Sequence, residues 1–260
     1  MSLTEITKQI KKHNNQLDGI SDVLVADLVM YQKEYEIMLL KRDFALDGSG
    51  NIKRTMGNYN KAASTNGVKN LGYRDISRNY IKKYPATARG EIAFMGELGY
   101  DFSTSYRDLT LVSVYQQTDF DLMLQTGLTL DANIKRELVN AVALQASYSE
   151  TIDNLTLAYL GAGKKLGVAA NFADSTMRTS LYGLTRSIDK QIYDEIGEKE
   201  FIYTGALDKK TRPFCVRHVG KIYTKEQIEN FGLENGSGLD GFISPGGYRC
   251  RHTMIGTSIL

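Results

Sequence analysis

DKKTRPFCVRH, residues 208–218, and GYRCRH, residues 247–252, are the segments on which the reading of this chain turns. The chain has two cysteines and three histidines. Four of these five residues fall here, as Cys215 and His218 with two residues between them, and Cys250 and His252 with one. Zinc takes four nitrogen or sulfur ligands in a tetrahedron. A Cys-x-x-His turn, shaped by Pro213 and Gly220, places two ligands on one ion. In an extended segment the i, i+2 pair Cys250 and His252 points to one face. The spacing is less usual than two Cys-x-x-Cys knuckles, so three arrangements stand open. They are a Zn2+ ion held by Cys215, His218, Cys250 and His252, a pair of buried thiols beside incidental histidines, and a Cys215–Cys250 disulfide. The clustering favours the metal, and a reducing cytosol disfavours the disulfide. Four protein ligands leave no open position, so the expected role of the ion is structural.

Around these pairs the sequence is short-period and loop-rich. FIYT at 201–204 is rich in β-formers and reads as a strand, and GKIY at 220–223 as a second. Thr224 to Gln227 has the capping-box pattern and opens a short helix to about Phe231. Glycines at 236, 238, 241, 246 and 247 make a long loop, and 253–259 reads as a last strand. A unit of this size gains from a staple such as a metal ion.

Upstream the period is helical. Ser2 to Glu5 forms a capping box, and apolar residues recur from Ile6 and Ile10 through Leu17, Ile20, Leu24, Leu28, Tyr31 and Tyr35 to Met38. That is one face of a long amphipathic helix, read as packing on the rest of the chain, with Gly19 marking a bend. DGSGN at 47–51 is a reversal. Residues 52–105 interleave tyrosines with basic residues and read as solvated helix faces, and Pro85 marks a helix end or start. From Leu109 the pattern is helical, with Asp131 read as an N-cap and a further helix over 152–160. GAGKK at 161–165 lacks the Walker spacing and reads as a helix break. The next helix, 175–196, carries Met177, Leu181, Leu184, Ile188, Ile192 and Ile196, with Gly197 just past its end. The fold class is therefore α+β, with a mostly helical region over 1–172 and a small zinc-stapled α+β unit over 173–260.

Net charge is +2 over 260 residues, so the chain as a whole does not advertise nucleic-acid binding. No apolar run reaches transmembrane or signal-peptide length, so neither a span nor a secretion signal is expected. The exception to the balanced charge is local. Lys209, Lys210, Arg212, Arg217, Lys221 and Lys225 stand with no acid between them, and Arg249 and Arg251 flank the second pair. Such a patch fits phosphates or an acidic protein surface. Its simpler reading is a solvated surface that offsets thiolate charge. Enzymatic signatures are missing: no His-Glu-x-x-His helix, and none of the spacing of the zinc deaminases. A Cys/His nucleophile pair can be drawn, but no orienting acid is indicated.

At these residues the sequence resembles the Mu F-like minor head proteins of tailed bacteriophages, also called phage head morphogenesis proteins. Their mark is a helix, a short strand, then Asp-x-x-Thr-x-x-x-Cys-x-x-Cys, then Gly-Lys and an aromatic, closed by a late His-x-x-Cys-Arg-Cys. Here the helix at 175–196 and the strand at 201–204 precede Asp208, Thr211 and Cys215, and Gly220, Lys221 and Tyr223 follow in register. Cys250, Arg251 and His252 stand where the closing Cys-Arg-Cys would be. His218 and His252 replace cysteines, an exchange that metal binding permits and a disulfide does not. Gly247 replaces the earlier histidine, so any role of that histidine lacks a counterpart here. The resemblance covers about residues 172–260.

It implies a non-enzymatic minor capsid protein that assists head assembly and the packaging or ejection of DNA. It places the protein at the portal vertex or capsid interior of the virion, and in the host cytoplasm during assembly. The implied partners are the portal or other head proteins, with packaged double-stranded DNA as a further candidate and no membrane in the assembled head. The alternative from a different class is a virion-carried enzyme, a nuclease or toxin-like transferase, built on the same Cys/His cluster.

Overall fold

The computed structural model describes residues 2–103, 109–209 and 211–260. Among the described residues helices account for 67% and the strands are few and short, an α+β architecture. The helices are α1 (Leu3–Leu40), α2 (Met56–Ala63), α3 (Gly67–Asn70), α4 (Tyr73–Ile81), α5 (Tyr84–Glu97), α6 (Leu109–Leu144), α7 (Tyr148–Leu155), α8 (Val168–Phe172), α9 (Arg178–Ile196), α10 (Pro213–His218), α11 (Lys225–Glu229) and α12 (Phe231–Glu234). Two π-helical turns, Thr156–Leu160 and Ala173–Met177, and a final 3-10 turn, Thr257–Ile259, complete them. Among the described residues no helix is long and apolar enough to cross a membrane.

The chain forms two compact units. One comprises 22–81 and 118–174. The other comprises 1–21, 82–117 and 175–260. The helical front of the chain is thus divided, and its first turns and α5 belong with the C-terminal elements.

In the unit of 22–81 and 118–174 the core is aromatic. Tyr31 packs edge-on to Tyr73 with ring centroids 5.0 Å apart, and the Tyr73 hydroxyl donates to the Met123 carbonyl at 3.0 Å. Asp131 is not an N-cap of its own helix, because α6 runs unbroken through it. It is buried and accepts from the Tyr35 hydroxyl at 2.5 Å and from the backbone N–H groups of Gly67 at 2.9 Å and Val68 at 3.1 Å. It therefore caps α3, a helix remote in sequence. Gly67 makes the approach possible, since a β-carbon there would lie 2.7 Å from the Tyr35 ring. Removing the carboxylate leaves three buried donors unpaired at about 1–3 kcal/mol each. Asp131→Ala is expected to lower the unfolding free energy by at least about 3 kcal/mol, read by urea denaturation of the full chain. A loss below about 0.5 kcal/mol would remove this role.

The DGSGN segment is a reversal in which the Asp47 carboxylate accepts from Ser49 N at 2.8 Å and Asn51 N at 2.9 Å. Gly161–Ala162 and Lys165–Leu166 are not a simple helix break. They pair as a two-stranded hairpin, β1 and β2, with positive φ at Gly161 and Gly163 supplying the turn.

In the other unit α9 buries Leu181, Leu184, Ile188 and Ile192 and ends at Gly197, whose φ of 72° is the left-handed cap. The chain then enters β3 (Glu200–Thr204), the centre of an antiparallel sheet of order β4-β3-β5. β4 is Ile222–Thr224 and β5 is Thr253–Gly256. Phe201 faces Tyr223 on one side and Gly256 on the other, while Tyr203 faces Met254. Phe201 to Thr204 are all buried, as a central strand covered on both faces requires. Tyr193 of α9 ties helix to sheet, donating to the Met254 carbonyl at 3.0 Å and packing edge-on to Phe201 at 5.1 Å. The capping box at Thr224 and Gln227 is formed and opens α11. The last expected strand is shorter than its sequence pattern, because residues 257–259 turn into the 3-10 helix.

Candidate metal centre

Cys215 lies in the middle of α10, a single short helix that Pro213 opens from its first turn. Cys250 and His252 lie on the segment that enters β5. Tyr203, on the central strand, projects between them. Among the described residues Cys215, Cys250 and His252 form a buried group able to hold a metal ion. Both cysteines are free. Their sulfurs are 3.8 Å apart, and Cys250 Sγ is 3.6 Å from His252 Nδ1. A tetrahedral ion of zinc's size, with sulfur at about 2.3 Å and nitrogen at about 2.05 Å, sets its ligand atoms about 3.8 Å (S to S) and about 3.6 Å (S to N) apart. These two separations match the ion, and all three ligand atoms lie within 4.8 Å of one another.

The electrostatics point the same way. Cys250 is held well below the ordinary thiol range, first by the hydrogen bond from Cys215, with His252 and the Arg186 charge assisting against burial. Cys215 is pushed up by its role as donor to Cys250 and then by burial. The two sulfurs stand within hydrogen-bond distance of each other, and a thiolate is the form that binds metal. The His252 backbone N–H also points at Cys250 Sγ, at 3.4 Å. Arg186, itself buried, donates to the Cys250 carbonyl and, at 3.0 Å, to the Ile243 carbonyl. It brings a positive charge beside the sulfurs. At Gly246 an added β-carbon would stand 2.5 Å from both sulfurs and 2.8 Å from the Tyr203 hydroxyl, so no side chain fits over this face of the cluster.

His218, the fourth ligand expected from sequence, stands apart. Its Nδ1 meets the Tyr223 hydroxyl at 2.7 Å and its Nε2 the Glu234 carboxylate at 3.2 Å. Its ring stacks on Phe214 with centroids 4.2 Å apart. Both nitrogens are engaged within an aromatic cluster of Phe214, Tyr223 and Phe231.

The basic residues divide in the same manner. Arg212 donates to the carbonyls of Gly246, at 2.9 Å, and Tyr248, so it clamps the glycine loop over the cluster. Arg251 pairs with Asp208 at 2.5 Å and Lys225 with Asp194 at 2.6 Å. Arg217 lies over the Phe214 ring with Glu234 3.7 Å away. Lys209, Arg217, Lys221 and Arg249 are exposed, and Lys210 lies outside the described residues. The motif residues Asp208 and Thr211 hold each other: Asp208 N donates to Thr211 Oγ1 at 2.8 Å, and Thr211 N to the Asp208 carbonyl at 3.0 Å.

Tyr203, Gly246 and Arg186 are the residues that sequence reasoning passed over. Tyr203 reads as one more β-former and Gly246 as one more loop glycine. Arg186 lies on the side of α9 opposite the expected apolar stripe, where it reads as a solvated cation, so the sequence offers no signal for it. No family model, curated protein or solved structure matches the chain.

Proposed function

We propose that the chain is a structural minor head protein of a tailed bacteriophage, with a C-terminal part stapled by zinc on Cys215, Cys250 and His252. The observation that carries this reading is that the residues of the motif are engaged in holding one small module together. Asp208 and Thr211 bind each other, Arg251 pairs with Asp208, and the two cysteines and His252 meet under Gly246. A motif employed in this way calls for a shape to be preserved. Zinc suits two thiolates and an imidazole better than harder cations do. The exposed cations Lys209, Arg217, Lys221 and Arg249 supply the surface that meets the portal, another head protein, or packaged DNA.

The enzyme reading has one observation on its side. Three protein ligands are the number that catalytic zinc sites use, with the fourth position left to water. Against it, Cys215, Cys250 and His252 are each at most 4% exposed, and a reacting group needs access.

The test is peptide mass spectrometry, with lysine cross-linking, on tailed particles purified from cells that express the chain with its neighbouring genes. The chain is expected in mature particles or proheads at low copy, cross-linked from Lys209 or Lys221 to the portal or another head protein. Recovery only in the particle-free fraction would overturn the reading.

A further inference from the structure

We propose that the Tyr203 phenol oxygen is the fourth ligand of the metal centre and closes it against solvent and substrate. The inference rests on the metal reading of Cys215, Cys250 and His252 given above.

The geometry comes first. With oxygen at about 2.0 Å and sulfur at about 2.3 Å from a tetrahedral ion, an oxygen ligand stands about 3.5 Å from each sulfur. The Tyr203 oxygen is 3.2 Å from Cys215 Sγ and 3.7 Å from Cys250 Sγ, either side of that spacing. Its ring lies nearly parallel to that of His252, at 25° with centroids 5.4 Å apart. The oxygen, from β3, and the imidazole, from the segment that enters β5, thus lie beside the two sulfurs. Tyr203 is fully buried and sits on the strand that is hydrogen-bonded on both edges, so it cannot swing away to admit water. Gly246 presses its backbone on the face made by these three atoms, with no room for a β-carbon.

The charge balance is consistent with this set. Two thiolates, a phenolate and a neutral imidazole around a divalent ion leave one net negative charge. Arg186 is buried beside Cys250, donating to its carbonyl, where it offsets that charge. As the ion binds, the protons carried by the ligating thiols and the phenol leave to solvent. The sequence-expected fourth ligand, His218, has both nitrogens bonded elsewhere, so the corner is free for Tyr203. A site closed in this way has no position for a substrate, which separates a structural ion from a catalytic one.

The test uses the full chain, stripped of metal under reductant and titrated with Zn2+ and separately with Co2+. In the parent, zinc is expected to raise the ultraviolet difference signal of one ionised tyrosine per ion bound. The cobalt visible spectrum is expected not to change on adding imidazole. Tyr203→Phe is expected to bind the ion about 10- to 100-fold more weakly, to lose the tyrosine signal, and to let added imidazole shift the cobalt bands. Tyr223→Phe, the control, keeps the tyrosine signal. Stoichiometric metal binding by the parent with no tyrosine signal and imidazole-sensitive cobalt bands would overturn the Tyr203 assignment alone. It would also return the fourth position to water. A parent that binds neither metal would overturn the metal reading, and this inference with it. The parent's own spectra decide the matter even if the Phe variant fails to fold.

Discussion

Cys250→Ser is expected to reduce the metal content of the purified chain from one ion to none, and to unfold the unit that contains β3, β4 and β5. The size of the effect follows from what the ion replaces. The sheet has three strands of at most five residues, and 235–250 is loop held by glycine turns and by Arg212. Structural zinc contributes on the order of 10 kcal/mol of apparent folding free energy, as much as the whole net stability of a typical domain. Cys250 is the centre of this arrangement, because its sulfur meets Cys215, His252 and Tyr203. The other compact unit has its own core around Tyr31, Tyr73 and Asp131 and is expected to survive. Thermal unfolding of the variant should therefore lose one transition and keep the other. His218→Ala separates the ligand set seen in the structure from the one expected from sequence. It is expected to keep the full metal content while loosening the contacts to Tyr223 and Glu234. Metal lost as completely from His218→Ala as from Cys250→Ser would restore His218 as a ligand. Full metal content in Cys250→Ser would end the zinc reading.

The two histidines explain how much of the site the sequence could disclose. Composition alone gathers Cys215, His218, Cys250 and His252, and spacing makes each pair a plausible chelate. Spacing cannot choose between a histidine aimed at the sulfurs and one aimed at a tyrosine and a carboxylate, because α10 allows either. The choice is made by Phe214, Tyr223 and Phe231, which come from three different elements. Asp131 has the same cause. An Asp ahead of an apolar period has the look of a cap, and here it is one, but for α3 across the unit rather than for its own helix. What the sequence does express is local periodicity and capping. The α9 stripe, its glycine cap, the β3 run and the Thr224 box all appear where their patterns predict. Contacts between residues far apart in sequence leave no such trace, and Tyr203, Arg186 and Glu91 belong to that class.

Glu91 carries the second large expectation. It lies on α5, 2% exposed, and its carboxylate is 2.7 Å from His13 Nε2, whose ring stacks on Phe94. Asp189 of α9, also buried, lines the same small cavity, with Arg186 as the nearby cation. The cavity between them is about 20 Å³, too small for a substrate. Burial raises Glu91 from 4.5 to about 7, against the hydrogen bond from Asp189 and the Arg186 charge. Burial, then the charge of Glu91, holds Asp189 well above the carboxylate range. Burial lowers His13, against the pull of Asp189 and Glu97. The two carboxyls titrate as a pair. Between pH 4.5 and 7 the folded chain keeps on Glu91 a proton that the unfolded chain has released, and Asp189 stays protonated beside it. Its contribution to stability is therefore whole below pH 4.5 and is lost as pH rises through 7, a change of roughly 3 kcal/mol for Glu91. Glu91→Gln keeps the shape, removes that titration, and removes the charge that holds Asp189 up. The variant is expected to gain on the parent by roughly 3 kcal/mol between pH 4.5 and pH 8, measured as the difference in urea unfolding free energy across that range. A difference that stays constant with pH would mean that the proton is not held by this pair, and that Arg186 and His13 suffice to keep both carboxylates charged inside the protein.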